Sequence, residues 1–228
     1  MSVYDDFKGH PDQHYGHLTF SQHGEDLMIV NLFKLMGIDK PSYLDLGAHH
    51  PVDVSNTALL YSRGSRGVNI EANDDLIGAF KDHRVGDINI CVGVGPKSGS
   101  YDFMMFDDRS GRNTLSFEEF QKTFPGVPAK TRTIVVKTLN EIVEYIECIG
   151  GGKWPDFLSC DLEGLDYDTL LAASFGVLDG PKIICVEVRH GETLKFAEML
   201  NRKGYCDYCR MGENMIFVRV DKMVLVRK

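Results

Sequence analysis

Apolar positions along the chain recur with two alternating periods. Residues 27–36 carry an amphipathic helical pattern that stops at Gly37, and 42–46 form a short apolar run that closes on Gly47. A polar turn follows, then a helical stretch over 55–61 with Ser55 as its cap candidate. The unit repeats with a strand over 67–71, a helix over 74–83 and a strand over 88–94. Further on, 133–137 reads as a strand, 139–149 as a helix broken by Gly150, Gly151 and Gly152, 156–161 as a strand and 166–175 as a helix. Residues 182–188 are almost uninterruptedly apolar and rich in β-branched side chains, the pattern of a strand buried on both faces. A last helix spans 194–203, and 205–208 and 214–220 read as two strands joined through 210–213, an antiparallel hairpin at the sheet edge.

Alternating strands and helices predict an α/β fold with a mostly parallel sheet and helices on both faces. The reversed terminal strand sets the pattern apart from a plain dinucleotide-binding sheet. Between 99 and 133 the alternation breaks: 100–106 looks like an extra strand, followed by a polar loop from Asp107 to Thr114. This segment reads as an insertion, and irregular segments of this kind often carry substrate recognition. The expected organisation is an N-terminal extension over 1–19, containing His10, His14 and His17, and one domain over 20–228.

Composition narrows the function classes. A chain of 228 residues, 43% hydrophobic and 25% charged, suits one globular domain. No stretch reaches the roughly 18 apolar residues of a membrane span, and the start lacks the basic and apolar regions of a signal peptide, so a cytoplasmic protein is expected. The net charge is −8 with no Lys/Arg cluster, which argues against a nucleic-acid partner. The six cysteines lie mostly in apolar segments and read as reduced thiols; Cys206 and Cys209 form a CxxC pair without the two further ligands that zinc requires.

In a sheet of this type ligands bind outside the carboxyl ends of the strands. Asp45 closes the first strand, Gly47 permits close backbone approach, and Glu71 closes the second strand where an acidic residue can accept ribose hydroxyls. Such a pattern is also generic to nucleotide-binding α/β domains. Residues 44–51 hold one glycine where a dinucleotide fingerprint has three, so a pyrophosphate lacks its cradle and an adenosine without phosphates fits better. An NAD-dependent oxidoreductase is the alternative on the same fold.

Five segments in order carry a resemblance: Ser21-Gln22-His23-Gly24-Glu25-Asp26, Leu44-Asp45-Leu46-Gly47-Ala48-His49-His50-Pro51, Ser55-Asn56-Thr57, Gly67-Val68-Asn69-Ile70-Glu71-Ala72-Asn73 and Cys160-Asp161-Leu162-Glu163-Gly164. Together they resemble the FkbM family of methyltransferases over about residues 20–220. The resemblance implies a class I, Rossmann-like methyltransferase fold with a seven-stranded sheet. It further implies S-adenosylmethionine as cofactor and O-methylation of sugars, glycans or polyketide hydroxyls. On matching positions Asp45, Gly47 and Ala48 line the cofactor, Glu71 holds the ribose, Asn56 and Thr57 reach the methionine carboxylate, and Gln22 lies over the cofactor as part of a lid. His49-His50-Pro51 departs from the small or polar residue and glycine usual there.

On the acceptor side, Asp161 and Glu163 follow one strand, and Glu187 and His190 follow the next, so four proton-accepting or metal-binding groups are expected on one rim. In one mechanism Asp161 or His190 is the general base for a sugar hydroxyl. In the other, Asp161 and Glu187 hold Mg2+ or another divalent cation that acidifies the hydroxyl. Glu163 is a third catalytic candidate, or a carboxylate at a helix start. His49 and His50 are candidates for contact with the acceptor, or hydrogen-bonded loop residues. In the insertion, Arg112 and Asn113, with Arg109 as a more exposed third, are candidates for binding acceptor hydroxyls or a nucleotide-sugar phosphate. Phe103, Phe106 and Phe117 offer either a sugar platform or core packing. The expected partner is a sugar, nucleotide-sugar or glycan acceptor; a cofactor-binding module without catalysis is the rival of a different class.

Overall fold

The computed structural model describes residues 18–150, 152, 154–176 and 179–226; His10, His14, His17 and Gly151 lie outside this range. Its frame is a seven-stranded sheet of β1 (Tyr43–Leu46), β2 (Gly67–Glu71), β3 (Ile88–Cys91), β7 (Phe157–Cys160), β8 (Ile183–Glu187), β9 (Tyr205–Met211) and β10 (Asn214–Arg219). The strand order is β3-β2-β1-β7-β8-β10-β9. All neighbouring pairs through β8 are parallel, whereas β10 runs antiparallel to both β8 and β9. The antiparallel β9–β10 hairpin thus stands at the sheet edge as expected, with β9 outermost and the reversed β10 joining it to β8.

Period-2 alternation divides the core between the two faces. Leu44, Leu46, Ile184 and Val186 face α5 (Leu139–Cys148), α6 (Asp166–Ala172) and α7 (Thr193–Arg202), while Tyr43, Ile183 and Cys185 face α1 (Glu25–Leu35) and α2 (Ala58–Ser62). Four consecutive buried positions in β8 explain the continuous apolar run, because both faces of that strand are covered by helices. The sequence does not signal α8 (Val220–Val226), which continues directly from β10 and buries Met223 against the α1 face. Helix α3 (Asp74–His83) packs beside β2 and β3.

The run over 88–94 is divided between two sheets. β3 ends at Cys91, and β4 (Gly93–Val94) enters a three-stranded sheet of order β4-β6-β5 with β5 (Gly99–Met105) and β6 (Lys130–Lys137). Residues 133–137, expected to resume the core alternation, thus belong to the insertion: β6 pairs antiparallel with β5 from Gly99↔Val136 to Met105↔Lys130. Between them runs α4 (Phe117–Thr123), capped by the Ser116 side chain. The small sheet holds residues 110–115 over the carboxyl ends of β2 and β7, through the Met104↔Thr114 bridge and the Thr114 Oγ1 bond to Glu163 O at 2.8 Å.

Candidate active site

A cavity of about 420 Å³ opens at the carboxyl ends of β1, β2, β7 and β8, within the roughly 300–1,000 Å³ typical of small-molecule sites. Its first end is formed by Ile70, Glu71, Ala72 and Asn73, with Leu76 and Val92 as apolar walls. Glu71 is buried, and its two carboxylate oxygens are held by backbone donors, Oε2 by His49 N–H at 2.8 Å and Oε1 by Asn73 N–H at 2.8 Å. The carboxylate is thereby fixed in direction while each oxygen keeps a lone pair for a further donor. Burial raises its pKa. Asn73, not singled out by the sequence reading, does a second job: its side chain caps α3 and donates to Asp108 O at 2.8 Å, tying the insertion to the cavity.

Gln22, Gly47, His49 and Val54 also line the cavity. The SQHGED segment explains how Gln22 arrives there. Asp26 accepts hydrogen bonds from Thr19 Oγ1, Phe20 N–H and Ser21 Oγ at 2.6, 2.7 and 2.9 Å, and buried Glu25 accepts from Asn214 Nδ2 at 2.8 Å. These two carboxylates clamp the entering chain across the sheet end. Gly47 lines the cavity, yet its requirement for glycine comes from the protein itself: a Cβ there would stand 1.8 Å from the Asp161 carbonyl oxygen, and φ is +73°. His49, Val54 and Glu163 are the non-glycine residues with positive φ among those described, and all three line this cavity. Such backbone costs energy elsewhere and collects at binding sites.

At the other end stand Asp161, Glu163 and Glu187, joined by Glu213 from the β9–β10 turn. Glu213 is delivered by strand pairing, since Asn214 lies opposite Glu187 and Val188 N–H donates to Glu213 O at 2.7 Å. Behind them, Asp166 opens α6 and accepts from Leu162 N–H and Gly164 N–H at 2.9 and 3.2 Å, fixing the turn that presents Asp161 and Glu163. Asp166, not Glu163, is the helix-start carboxylate. Burial pushes all four up: Asp161 to about 7 with Asp166 as the next cause, Glu187 to about 7 with Asp161 next, Asp166 to about 7 with Glu187 next, and Glu163 to about 9 with Asp161 and Glu187 next. Asp161 Oδ1 is shut off from solvent and has no hydrogen-bond partner.

The structure distributes the remaining expected residues as follows. Three of the four rim groups meet, but the chain turns after Val188 so that His190 is exposed and lines neither this cavity nor the smaller one beside it. Asp45 and Thr57 are buried beneath the cavity, where Thr57 Oγ1 donates to Asp45 Oδ2 at 2.7 Å and burial raises the Asp45 pKa. Asn56 points between β7 and β8, with Nδ2 3.4 Å from Ser159 Oγ. Ala48 is buried against Ile77 and Phe80 of α3. His50 Nδ1 accepts from Val52 and Asp53 N–H at 3.2 and 2.8 Å, stabilising its own turn outside the cavity lining.

Arg112 and Asn113 both line the cavity. The Asn113 amide is spent on the loop, accepting from Phe106 N–H at 3.0 Å and donating to Asp107 O at 2.8 Å. Of the three aromatic candidates Phe103 lines the cavity, Phe106 stacks on Phe124, and Phe117 is exposed. Among the described residues no group of three or more His, Cys, Asp or Glu side chains is arranged to hold a metal ion, so Asp161 and Glu187 do not form part of a ready ligand set. No helix among the described residues is long and apolar enough to cross a membrane.

A residue that the sequence reading passed over supports the whole floor. Arg84, at the end of α3, is 1% exposed; it donates through Nε to Pro51 O at 2.8 Å, through Nη1 to Tyr43 OH at 2.9 Å, and through Nη2 to Thr57 Oγ1 at 2.9 Å and Ser55 Oγ at 3.2 Å. It thus ties the 51–57 loop to β1 and reaches Asp45 through Thr57. A lone arginine after a helix gives no sequence signal for this, because the same residue type is usually solvated there.

The methyltransferase FkbM domain family matches residues 45–208, well over half of the chain. No curated protein matches the sequence. Among solved structures, an FkbM methyltransferase from Methylobacillus flagellatus is 13% identical with a TM-score of 0.48, over 79% of this chain and 44% of that one. An S-adenosylmethionine-dependent methyltransferase from Agrobacterium tumefaciens is 10% identical with a TM-score of 0.44, over 86% and 62%. A precorrin-6y C5,15-methyltransferase from Geobacter metallireducens is 12% identical with a TM-score of 0.39, over 91% and 93%. The chain spans less than half the length of the Methylobacillus protein it matches.

Proposed function

The chain belongs to the FkbM methyltransferase family, and from that premise we propose that it methylates a hydroxyl of an uncharged sugar or glycan unit, using S-adenosylmethionine. The observation that carries this reading is the division of one cavity between an oriented, backbone-held Glu71 and a wall of carboxylates at Asp161, Glu163 and Glu187.

The residues present suit the cofactor. Glu71 offers acceptor lone pairs to a ribose diol, and Ile70, Leu76 and Val92 offer apolar surface to a base. The unpartnered Asp161 Oδ1 is a buried acceptor at the opposite end. When bound, S-adenosylmethionine supplies a methyl group carried on a positively charged sulfur. The protein's share is to align the acceptor oxygen, exclude water and take up its proton. Asp161 is the proton acceptor in this reading, because its position is fixed by the Asp161 N–H bond to Leu46 O at 3.0 Å and its raised pKa of about 7 makes it a stronger base than an ordinary carboxylate. Burial, with Asp166 and Asp45 behind it, keeps that pKa raised, and in this reading Glu163 and Glu187 accept hydrogen bonds from neighbouring hydroxyls of the acceptor.

The lining sets Glu71, Asp161, Glu163, Glu187 and Glu213 against one arginine, Arg112, which favours a hydroxyl-bearing uncharged unit over a nucleotide sugar with its phosphates. The experiment is calorimetric titration with S-adenosylmethionine and with NADH, each with magnesium and with chelator, followed by transfer of labelled methyl to a panel of saccharides. Binding of the methyl donor, transfer to a hydroxyl, and a loss of at least about a hundredfold in the rate at saturating donor for Asp161→Asn, with donor binding weakened but measurable, are the expected results. Preference for NADH, or undiminished transfer by Asp161→Asn, rejects the reading; loss of activity with chelator assigns a cation to Asp161 and Glu187.

A further inference from the structure

The carboxylate wall has almost no positive charge of its own. Arg189 is the cation that acts most on Asp161, Glu163 and Glu187, and its Nη1 is already ion-paired with Glu119; Arg112, on the insertion, is the arginine in the lining itself. Lys195 and Lys122, in the smaller neighbouring cavity that shares Glu187, are paired with Glu192 and Glu118. Asp161 Oδ1 stays buried without any partner, and the backbone holds it there: its carbonyl abuts Gly47 and its N–H is bound to Leu46. The opposite end of the same cavity is different in kind, because the Glu71 carboxylate is satisfied by two backbone N–H groups. The uncompensated negative charge is thus confined to one end, and buried like charges of this sort are relieved by whatever cation enters beside them.

Resting on the reading above, in which ribose lies against Glu71, we propose that Asp161, Glu163 and Glu187 discriminate by charge between the sulfonium methyl donor and the neutral thioether left after transfer. In the transfer the methyl carbon leaves sulfur and bonds to the acceptor oxygen. The electron pair of the broken C–S bond stays on sulfur, and the hydroxyl proton passes to Asp161. Sulfur loses its positive charge in the same event in which the wall loses one negative charge. The attraction that favours the donor is therefore absent for the product, which speeds product departure and limits product inhibition.

The test compares dissociation constants by calorimetry for S-adenosylmethionine, S-adenosylhomocysteine and sinefungin, whose amine supplies a positive charge where the donor has its sulfonium. The expected order places both cationic compounds about tenfold or more tighter than the thioether. Measured at about pH 8.5, where Asp161 and Glu187 are ionised and an entering cation ionises Glu163, Glu163→Gln and Glu187→Gln should each shrink that ratio severalfold by weakening the cationic ligands, with thioether affinity unchanged. The comparison within wild-type protein needs no variant to fold. Thioether binding as tight as the donor, or a ratio unmoved in both variants, overturns the proposal while leaving the methyltransferase reading intact. Failure of all three adenosyl compounds to bind rejects that underlying reading instead.

Discussion

Replacing Gly47 by alanine isolates the contact on which the site is built. The added Cβ would lie 1.8 Å from the Asp161 carbonyl oxygen and 3.0 Å from its carbon, both backbone atoms that no rotamer change can move away. The φ of +73° adds a penalty of about 1–2 kcal/mol for any L side chain. Relieving the overlap requires the strand-end backbone of β7 to retreat from β1, at the cost of the Asp161 N–H bond to Leu46 O, worth about 1 kcal/mol net. With the packing lost around the displaced turn, the sum is about 3–5 kcal/mol, the upper range for a single substitution. For a domain of this size that corresponds to a fall of roughly 10 °C in Tm.

Gly78 provides the control, because it is exposed within α3 and a Cβ there meets nothing within 4 Å. Gly78→Ala should stabilise by about 0.5–1 kcal/mol through helix propensity. The assay is urea denaturation of both variants, with calorimetric binding of S-adenosylmethionine at a temperature where each is folded. A Gly47→Ala protein as stable as wild type, with unchanged binding, would refute the argument that β1 and the β7 turn meet through a glycine.

Arg84→Met should destabilise by about 3–5 kcal/mol, since it leaves buried Asp87 without its ion-pair partner and Thr57 without one of its bonds; urea titration measures this, and a loss below about 1 kcal/mol would show that the network contributes little. Stability should also depend on pH in an unusual direction. Asp161, Asp166 and Glu187 bind protons more tightly in the folded protein, to about 7, than in an unfolded chain at about 4, so the folded state holds more protons in between. Their stabilising contribution is complete below about pH 4 and is lost as pH rises through about 7, and Glu163→Gln should flatten this decline and raise stability at pH 8. A wild-type stability that climbs steadily from pH 5 to pH 8, with no effect of Glu163→Gln, would contradict the like-charge account.

Much of the frame was readable from periodicity, because strands buried on one or both faces and helices with one apolar stripe leave patterns that local sequence must carry. The helix Asp74–His83 is bounded by the Asn73 cap and the end of its apolar stripe, and β8 by its unbroken apolar run. Glu71 at the end of β2 and Asp161 with Glu163 at the end of β7 followed from the rule that ligands bind at strand carboxyl ends. The division of 88–94 between two sheets was not readable, since β3 and β4 share one apolar run and only pairing partners distinguish them.

Direction was the other quantity that sequence withheld. His190 follows β8 as closely as an active-site residue should, but the turn after Val188 leaves it exposed, while Glu213 reaches the cavity through hairpin register. Thr57 and Asn56 carry polar groups suited to a ligand, yet Arg84 and the strand ends engage them inside the protein. Residue type and strand position determined which groups stand near the site. Only the tertiary structure decided which of them face the cavity, which are spent holding it open, and which negative charges are left without a partner, because burial and partner choice depend on residues distant in sequence.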